Sequence, residues 1–531
     1  MLSSFEMLPR ASCRLQAINI HYQNATLRLF SSQVHVNSID LTANDFRRNY
    51  ETALPYSEIP GPSAFTLMKN ALPGGKLFGK EFDVISKEYR REYGDLFKFP
   101  SIFGSMEFVA THKPEDFQTV FRTEGQWPER MGLKTMIHYR TKVRPDIFGK
   151  HSGLANAQGK EWGDFRSAVN PVMMQPRNTM IYIPKVDAVA VDFVKRIQRI
   201  RNAKTKEVPD NFENELNKWA LEAVAVIAMD ARLGLLHDNY NKRSAKLIQG
   251  ARDAFRLMFE LEFRPSLWRF ISTPKFKKFI EALDAVTDVS CEIIEEAGER
   301  FNKKPESSEN HDESVLEKLL QIDPLLAKVM AIDMLFGGID TTSSAITSLL
   351  YLLAKNPDKQ ENLRQEIMTK LPNKDSSLTA ESMKHFPYLR ACLKESLRVL
   401  PTVGGNVRTV AQNIILQGYQ IPKGTTVSMG TGALLREDEH FPNANKYEPE
   451  RWLKKDGVPA PAKSAHPYIF LPFGFGPRMC VGKRFAEMEI ETLVARIIRN
   501  FHVEWHHPDL KFKFTSVNVP ADKLLFTFKD I

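Results

Sequence analysis

Hydrophobic periodicity divides the chain into long stretches with helical spacing and a few short strand-like ones. The longest helical stretch opens at Asp323-Pro324, an acidic N-cap with proline in the first turn, and stops at Asn356-Pro357. Running to about Lys355, such a helix spans roughly 48 Å at 1.5 Å per residue, enough to cross a whole domain. Its centre reads Gly337-Gly338-Ile339-Asp340-Thr341-Thr342. Two interior glycines cost about 2 kcal/mol relative to alanines, so space or a local kink has to compensate.

Helical periodicity also runs from about Asn211 to Phe301, broken at Phe263 to Ile271 by an aromatic and basic turn that Lys275, Lys277 and Lys278 follow. That turn reads either as a contact lying on a membrane or as ordinary packing between helices. Residues 80–122 mix a helix over Glu81 to Tyr93 with strands at Leu96 to Phe99 and Glu107 to Ala110. Trp162 and Arg166 stand four apart, hence on one helix face, behind a loop from about Lys134 to Gln158 that would cover a substrate. A helix from near Pro387, ending before Pro401, carries Glu395 and Arg398, and another runs from Lys483 to Asn500. The pattern predicts a mainly α protein with a small β lobe.

Composition narrows the classes. The 531 residues are 43% hydrophobic, enough for a sizeable core, and no run of about 18 apolar residues is present to span a membrane. The net charge of +9 is spread over 73 basic and 64 acidic residues, which argues against a nucleic-acid tract. Cys13, Cys291, Cys392 and Cys480 form no CxxC pair, so neither a disulfide framework nor a zinc module is expected. Residues 1–39 hold Arg10, Arg14 and Arg28 against the single acid Glu6, a transit-peptide composition, and Arg28-Leu29-Phe30 followed by Ser31 is similar to a matrix-processing site. The expected organisation is a presequence over 1–30, a flexible segment over 31–58, and one domain from the stiff Ile59-Pro60-Gly61-Pro62 turn to residue 531. Residues 303–313 read as a flexible connection.

The candidate chemistry gathers near the C-terminus, in Phe473-Gly474-Phe475-Gly476-Pro477-Arg478-Met479-Cys480-Val481-Gly482. A cysteine between a glycine-rich turn and a helix start accepts backbone N–H bonds and meets the positive end of the dipole, which predicts a lowered pKa and metal ligation. The glycines let the backbone approach a flat cofactor, Phe473 and Phe475 could cover the sulfur, and Arg478 suits a carboxylate. A flat ligand with iron and carboxylates is haem.

Phe473, Gly476, Arg478, Cys480 and Gly482 together form a pattern that resembles the haem-binding signature of the cytochrome P450 family. The resemblance continues at Gly337 to Thr341, at Glu395-x-x-Arg398, at Tyr447 to Trp452 and at Trp162-x-x-x-Arg166. It implies the family's mainly α fold, with haem b between the long helix and the cysteine loop, and Cys480 as axial thiolate. It also implies haem contacts at Trp162, Arg166, Arg408, Phe473, Arg478 and Gly482, proton handling by Asp340 and Thr341, and a structural network of Glu395, Arg398 and Arg451. Trp452 stands where many members have Phe, which leaves that network undisturbed.

Asn170 to Pro176 and Trp127 to Arg130 look most like the insect mitochondrial branch, family twelve. That branch implies a monooxygenase acting on a small lipophilic substrate with O2. Electrons would come from a 2Fe–2S ferredoxin and its NADPH-dependent flavin reductase, docking at Arg390, Lys394, Lys483 and Arg484. It also implies peripheral contact with the inner membrane on the matrix side, and either breakdown of foreign compounds such as insecticides or hydroxylation of ecdysteroid-type hormones. The other classes weighed are a haem-thiolate isomerase and a noncatalytic haem binder.

Overall fold

A computed structural model of the chain describes residues 43–80, 82–101, 107–263, 266–303 and 312–531. The expected presequence, Cys13 and most of the 303–313 connection lie outside them. The chain divides into two units, Met1–Ala53 and Leu54–Ile531. In the first, Ala43–Thr52 is helical.

The second unit is built on the helix Pro324–Lys355. Its start is fixed as the residues dictate: the Asp323 side chain accepts from Leu326 N at 2.8 Å and Pro324 sits in the first turn. Ile339, Ile346, Leu349, Leu350 and Leu353 are all buried along it. Helices Phe212–Ala228, Val315–Ile322, Pro387–Val399 and Lys483–Asn500 pack around it, so it is apolar on nearly every side. The β lobe is one four-stranded sheet in the order Leu96–Phe99, Phe108–Thr111, Thr426–Met429, Asn406–Thr409, with three two-stranded pairs beside it. Its middle pairing, Val109 with Val427, is parallel and the outer two are antiparallel, which brings the N-terminal strands against a late part of the chain.

Three sequence expectations change here. The helical run from Asn211 has a second break, between Ala228 and Lys242. Buried Glu222 organises it, accepting from Leu233 N, Gly234 N and Leu235 N at 2.9, 3.1 and 2.9 Å and from Arg232 Nε at 2.8 Å.

The 134–158 loop is largely helical: Lys134–His138, a π-turn at Tyr139–Val143 and Pro145–Phe148. It is pinned to the long helix by Arg140 on Asp333 at 2.6 Å and by Leu154 N on the other Asp333 oxygen at 2.6 Å. Arg144 and Tyr139 pin it to helix Pro274–Asn302 through Asp284, at 3.0 and 2.8 Å.

In the aromatic turn, Trp268 is buried rather than exposed. It stacks on Phe276 at 5.0 Å and donates from Nε1 to Leu261 O at 3.2 Å. Of the turn's described hydrophobic residues, Leu267, Phe270 and Ile271 are exposed.

Glu395, fully buried, accepts from Arg398 at 2.7 and 3.0 Å and from Arg451 Nε at 2.9 Å. Trp452 does not stand aside from this network: its Nε1 donates to Glu395 Oε2 at 2.8 Å. Removing one donor to a buried carboxylate costs about 2 kcal/mol. Trp452→Phe is therefore expected to lower unfolding stability by about that amount, measured by denaturant titration, while a control Trp127→Phe changes it little.

Candidate functional site

The cysteine loop turns on two glycines with positive φ, Gly474 at 75° and Gly476 at 70°. Cys480 N donates to Phe473 O at 2.8 Å, closing the loop, and Gly482 is the N-cap residue of helix Lys483–Asn500. Cys480 lies deep in the protein, yet its surface is accessible because it faces a cavity of about 980 Å³.

Burial pushes the Cys480 thiol up, and this outweighs the Gly482 N–H and the charges of Arg166 and Arg130, which pull it down. The expected lowering is thus reversed for the protein alone, because desolvation of the charged form is the larger effect. A bound metal cation supplies the missing stabilisation of a thiolate. Phe473 lines the cavity, whereas Phe475 turns outward onto Phe121 at 5.3 Å and Tyr468 at 5.0 Å. Phe473, not Phe475, is placed to shield the sulfur.

Six arginines line the same cavity, and four of them, Arg130, Arg166, Arg408 and Arg478, are the ones that bear on the cysteine side. Arg478 lies 4.1 Å over the Trp162 ring and donates to Pro128 O at 2.7 Å, Ala157 O at 2.6 Å and Gln158 Oε1 at 3.0 Å, but its Nη1 is buried without a partner. Arg166 Nε is likewise unpartnered. Burial, and then neighbouring arginines, push Arg478 down to about 9, and burial pushes Arg166 down to about 10. Unpaired buried cations with orphaned N–H groups fit an anionic ligand group. Two carboxylates on a flat cofactor meet that need beside a thiol able to hold its iron, so the residues fit haem.

Arg408 is less free than the sequence implied. It donates from Nε to Glu124 at 2.5 Å, from Nη1 to Val407 O at 3.0 Å and from Nη2 to Phe475 O at 3.0 Å, which leaves two of its five N–H groups for the cavity. Arg130 and Glu124 escaped the sequence reading of the site. The only signal for Arg130 was its place in Trp127-Pro128-Glu129-Arg130, and Glu124 carried none.

The long helix forms another wall. A Cβ at Gly337 would meet open space, whereas one at Gly338 would lie 3.0 Å from Val224 Cγ2. The first glycine therefore makes room in the cavity and the second lets helix Phe212–Ala228 approach. Thr341 lines the cavity and donates to Gly337 O at 2.6 Å. Thr342 lines it too, with its hydroxyl unpartnered. Asp340 is not among the lining residues, and burial, with Glu213 adding to it, pushes its carboxyl up to about 6.

Three comparisons place this architecture. The cytochrome P450 family profile matches residues 59–528. The chain belongs to the cytochrome P450 family. It is 46% identical over 496 residues to cytochrome P450 CYP12A2 of Musca domestica, covering 91% of this chain and 92% of that one. It is also 46% identical over 491 residues to the probable mitochondrial cytochrome P450 12a5 of Drosophila melanogaster, covering 90% and 92%. Among solved structures, cyanobacterial CYP120A1 with retinoic acid bound has a TM-score of 0.67 at 25% identity, covering 84% of this chain and 94% of that one. This P450 is a monooxygenase that uses haem b held by a cysteine thiolate, and it groups with insect mitochondrial members.

The four expected docking cations all lie within electrostatic reach of Glu487. Lys394 and Arg484 are exposed, and Lys483 sits 5.7 Å over the Phe473 ring. Arg390 does not project freely: it donates to Met383 O and Lys384 O and lies 3.4 Å from Glu491.

Glu489, on the same helix, lines the cavity with Oε1 unpartnered, and burial pushes its carboxyl up to about 8. The folded chain thus keeps a proton that the unfolded chain has released above about 4.5, and the stability it contributes is lost as pH rises through about 8. Between pH 5 and pH 8 the wild-type melting temperature should therefore fall further than that of Glu489→Gln, read by differential scanning fluorimetry.

Proposed function

We propose that this P450 is a matrix-side mitochondrial monooxygenase of small lipophilic molecules in which Cys480 is the axial ligand. The observation that carries the reading is the Cys480 sulfur facing a cavity that it shares with unpaired guanidinium N–H groups and with Gly337 and Thr341. Bound haem supplies O2 binding, reductive activation and oxygen insertion. The chain supplies the rest.

With haem bound, the Cys480 thiolate would donate electron density to the iron. Arg166 and Arg478 would hold the haem carboxylates by charge-assisted bonds, with Trp162 stacked on Arg478, and Gly482 N–H bonds the sulfur. Thr341 can turn its hydroxyl from Gly337 O toward the cavity. Asp340, able to exchange a proton near neutral pH, replenishes it from the side away from substrate. A neutral substrate is favoured because both oxygens of Asp333, an acid in the wall, are already bound by Arg140 and Leu154 N. That description suits foreign lipophiles and ecdysteroid-type hormones alike.

Matrix location is supported by the arginine-rich N-terminus and by the relatives named mitochondrial. Among the described residues no helix is long and apolar enough to cross a membrane. Exposed Leu267, Phe270 and Ile271 near Lys277 and Lys278 support a peripheral contact with the inner membrane.

A reduced carbon-monoxide difference spectrum tests the ligand. Wild type is expected to give a thiolate-type Soret band and Cys480→Ser none; the same band in both would remove Cys480 from the iron.

For electron supply, the cations around Glu487 fit an acidic 2Fe–2S ferredoxin, reduced by its NADPH-dependent flavin reductase. Lys394→Glu with Arg484→Glu should raise the ferredoxin KM about tenfold at low salt, with the gap closing at high salt. Arg390→Glu is a poor probe, because that side chain is tied to the Met383 and Lys384 carbonyls and to Glu491.

A further inference from the structure

Glu124 lies two residues past the helix Pro114–Arg122 and is buried, with about 5% of its surface exposed. One of its oxygens accepts from Arg408 Nε at 2.5 Å. The other fills the place of a side chain at Gly476, where a Cβ would lie 2.4 Å from Glu124 Oε1. Gly476 is therefore required for two reasons, its φ of 70° and this carboxylate. The same stretch of chain makes further contacts with the cysteine loop. Phe121 packs on Phe475 at 5.3 Å and underlies the Arg408 guanidinium at 5.1 Å. Arg408 in turn holds Phe475 O at 3.0 Å. One helix end thus grips the loop from outside the cavity, through a ring pair, an ion pair and a carboxylate packed on glycine.

The charge pattern sharpens the point. Arg408 and Arg478 both act on Glu124, and among the described residues no other carboxylate is hydrogen-bonded to Arg130, Arg166, Arg408 or Arg478. Glu124 does not line the cavity, and Arg408 does. Any influence on a bound cofactor therefore passes through Arg408 or through the loop.

We propose that Glu124 is a positioning residue of the haem site: it fixes the Arg408 guanidinium at the cavity wall and seats the Gly476 turn, and so tunes the iron's reduction potential without touching haem. The inference rests on the reading of Cys480 as ligand. Freed of Glu124, Arg408 presents a full positive charge to the cavity, which favours the reduced iron.

The experiment measures midpoint potentials by spectroelectrochemistry on holoenzyme, for wild type, Glu124→Gln, Arg408→Gln and the double variant. The carbon-monoxide spectrum of each is recorded as well. Glu124→Gln is expected to raise the potential, shifting the reduction equilibrium about tenfold, or about 59 mV for one electron. In the Arg408→Gln background the same substitution is expected to do much less, since the group it positions is gone. An equal shift in both backgrounds, or none in wild type, overturns the proposal. Should Glu124→Gln yield no holoenzyme, Glu124→Asp keeps the charge and shortens its reach. A shifted potential with an intact thiolate-type band then supports positioning, and a wild-type potential overturns it. Loss of the thiolate-type band from wild type itself would instead sink the Cys480 reading.

Discussion

A sulfur that has to be charged while buried is the constraint on which the site depends. Taking a thiolate out of water disfavours it, and in this chain that penalty exceeds what one backbone N–H and two nearby guanidiniums return. The loop therefore has to be held in shape by groups that do not depend on the sulfur. Two sets of contacts do so from opposite ends. At one end Glu395, bound by Arg398, Arg451 and Trp452, fixes the segment leading toward the loop. At the other, Arg478 passes under the loop to Pro128 O, Ala157 O and Gln158, tying it to the chain that roofs the cavity. Both sets bury charge, and each is tolerable only because nearly every donor and acceptor in it is paired. The exception, Arg478 Nη1, together with Arg166 Nε on the same cavity, points to what the cavity is built to receive.

The roof follows the same logic. Asp333 on the central helix would be an exposed acid in the wall of a largely apolar cavity if Arg140 and Leu154 N did not occupy its two oxygens. Gly153, at φ 88°, admits the guanidinium, since a Cβ there would lie 1.6 Å from Arg140 Nη1. The segment over the cavity is consequently a pinned structure and not a loose flap. Substrate discrimination then resides in the apolar wall, where one methylene in a pocket is worth about 1–3 kcal/mol.

The long helix and its start, the cysteine turn and the first two strands were legible because each depends on local chemistry: an Asp-Pro cap, positive-φ glycines, a short apolar run. Glu395 with Arg398 was legible as a pair, three apart on one helix. What escaped the sequence depends on contacts between distant parts of the chain. Trp268 reads as an exposed aromatic until Phe276 and Leu261 O are folded around it. Phe475, three residues from the arginine and five from the cysteine, is turned outward by Phe121, some 350 residues upstream. The break after Ala228 depends on a glutamate whose partners are ten and more residues on. Asp340 next to Thr341 reads as one acid–alcohol unit, but successive helical residues point about 100° apart, so neighbours in sequence face different surroundings.

That divergence has a chemical use. An acid lining a lipophilic cavity would have to be desolvated again by every substrate, or would bind cations in place of neutral ligands. Keeping Asp340 behind the wall, with burial and Glu213 lifting it to about 6, holds its exchangeable proton out of the cavity, while Thr341 and Thr342 present only hydroxyls inside. The two glycines then divide the remaining work by the same geometry. Gly338 faces Val224 and lets the helices close, and Gly337 faces the cavity and keeps it open. Four consecutive residues after Phe336 thus serve packing, space and proton supply separately, because the helix turns each of them toward a different neighbour.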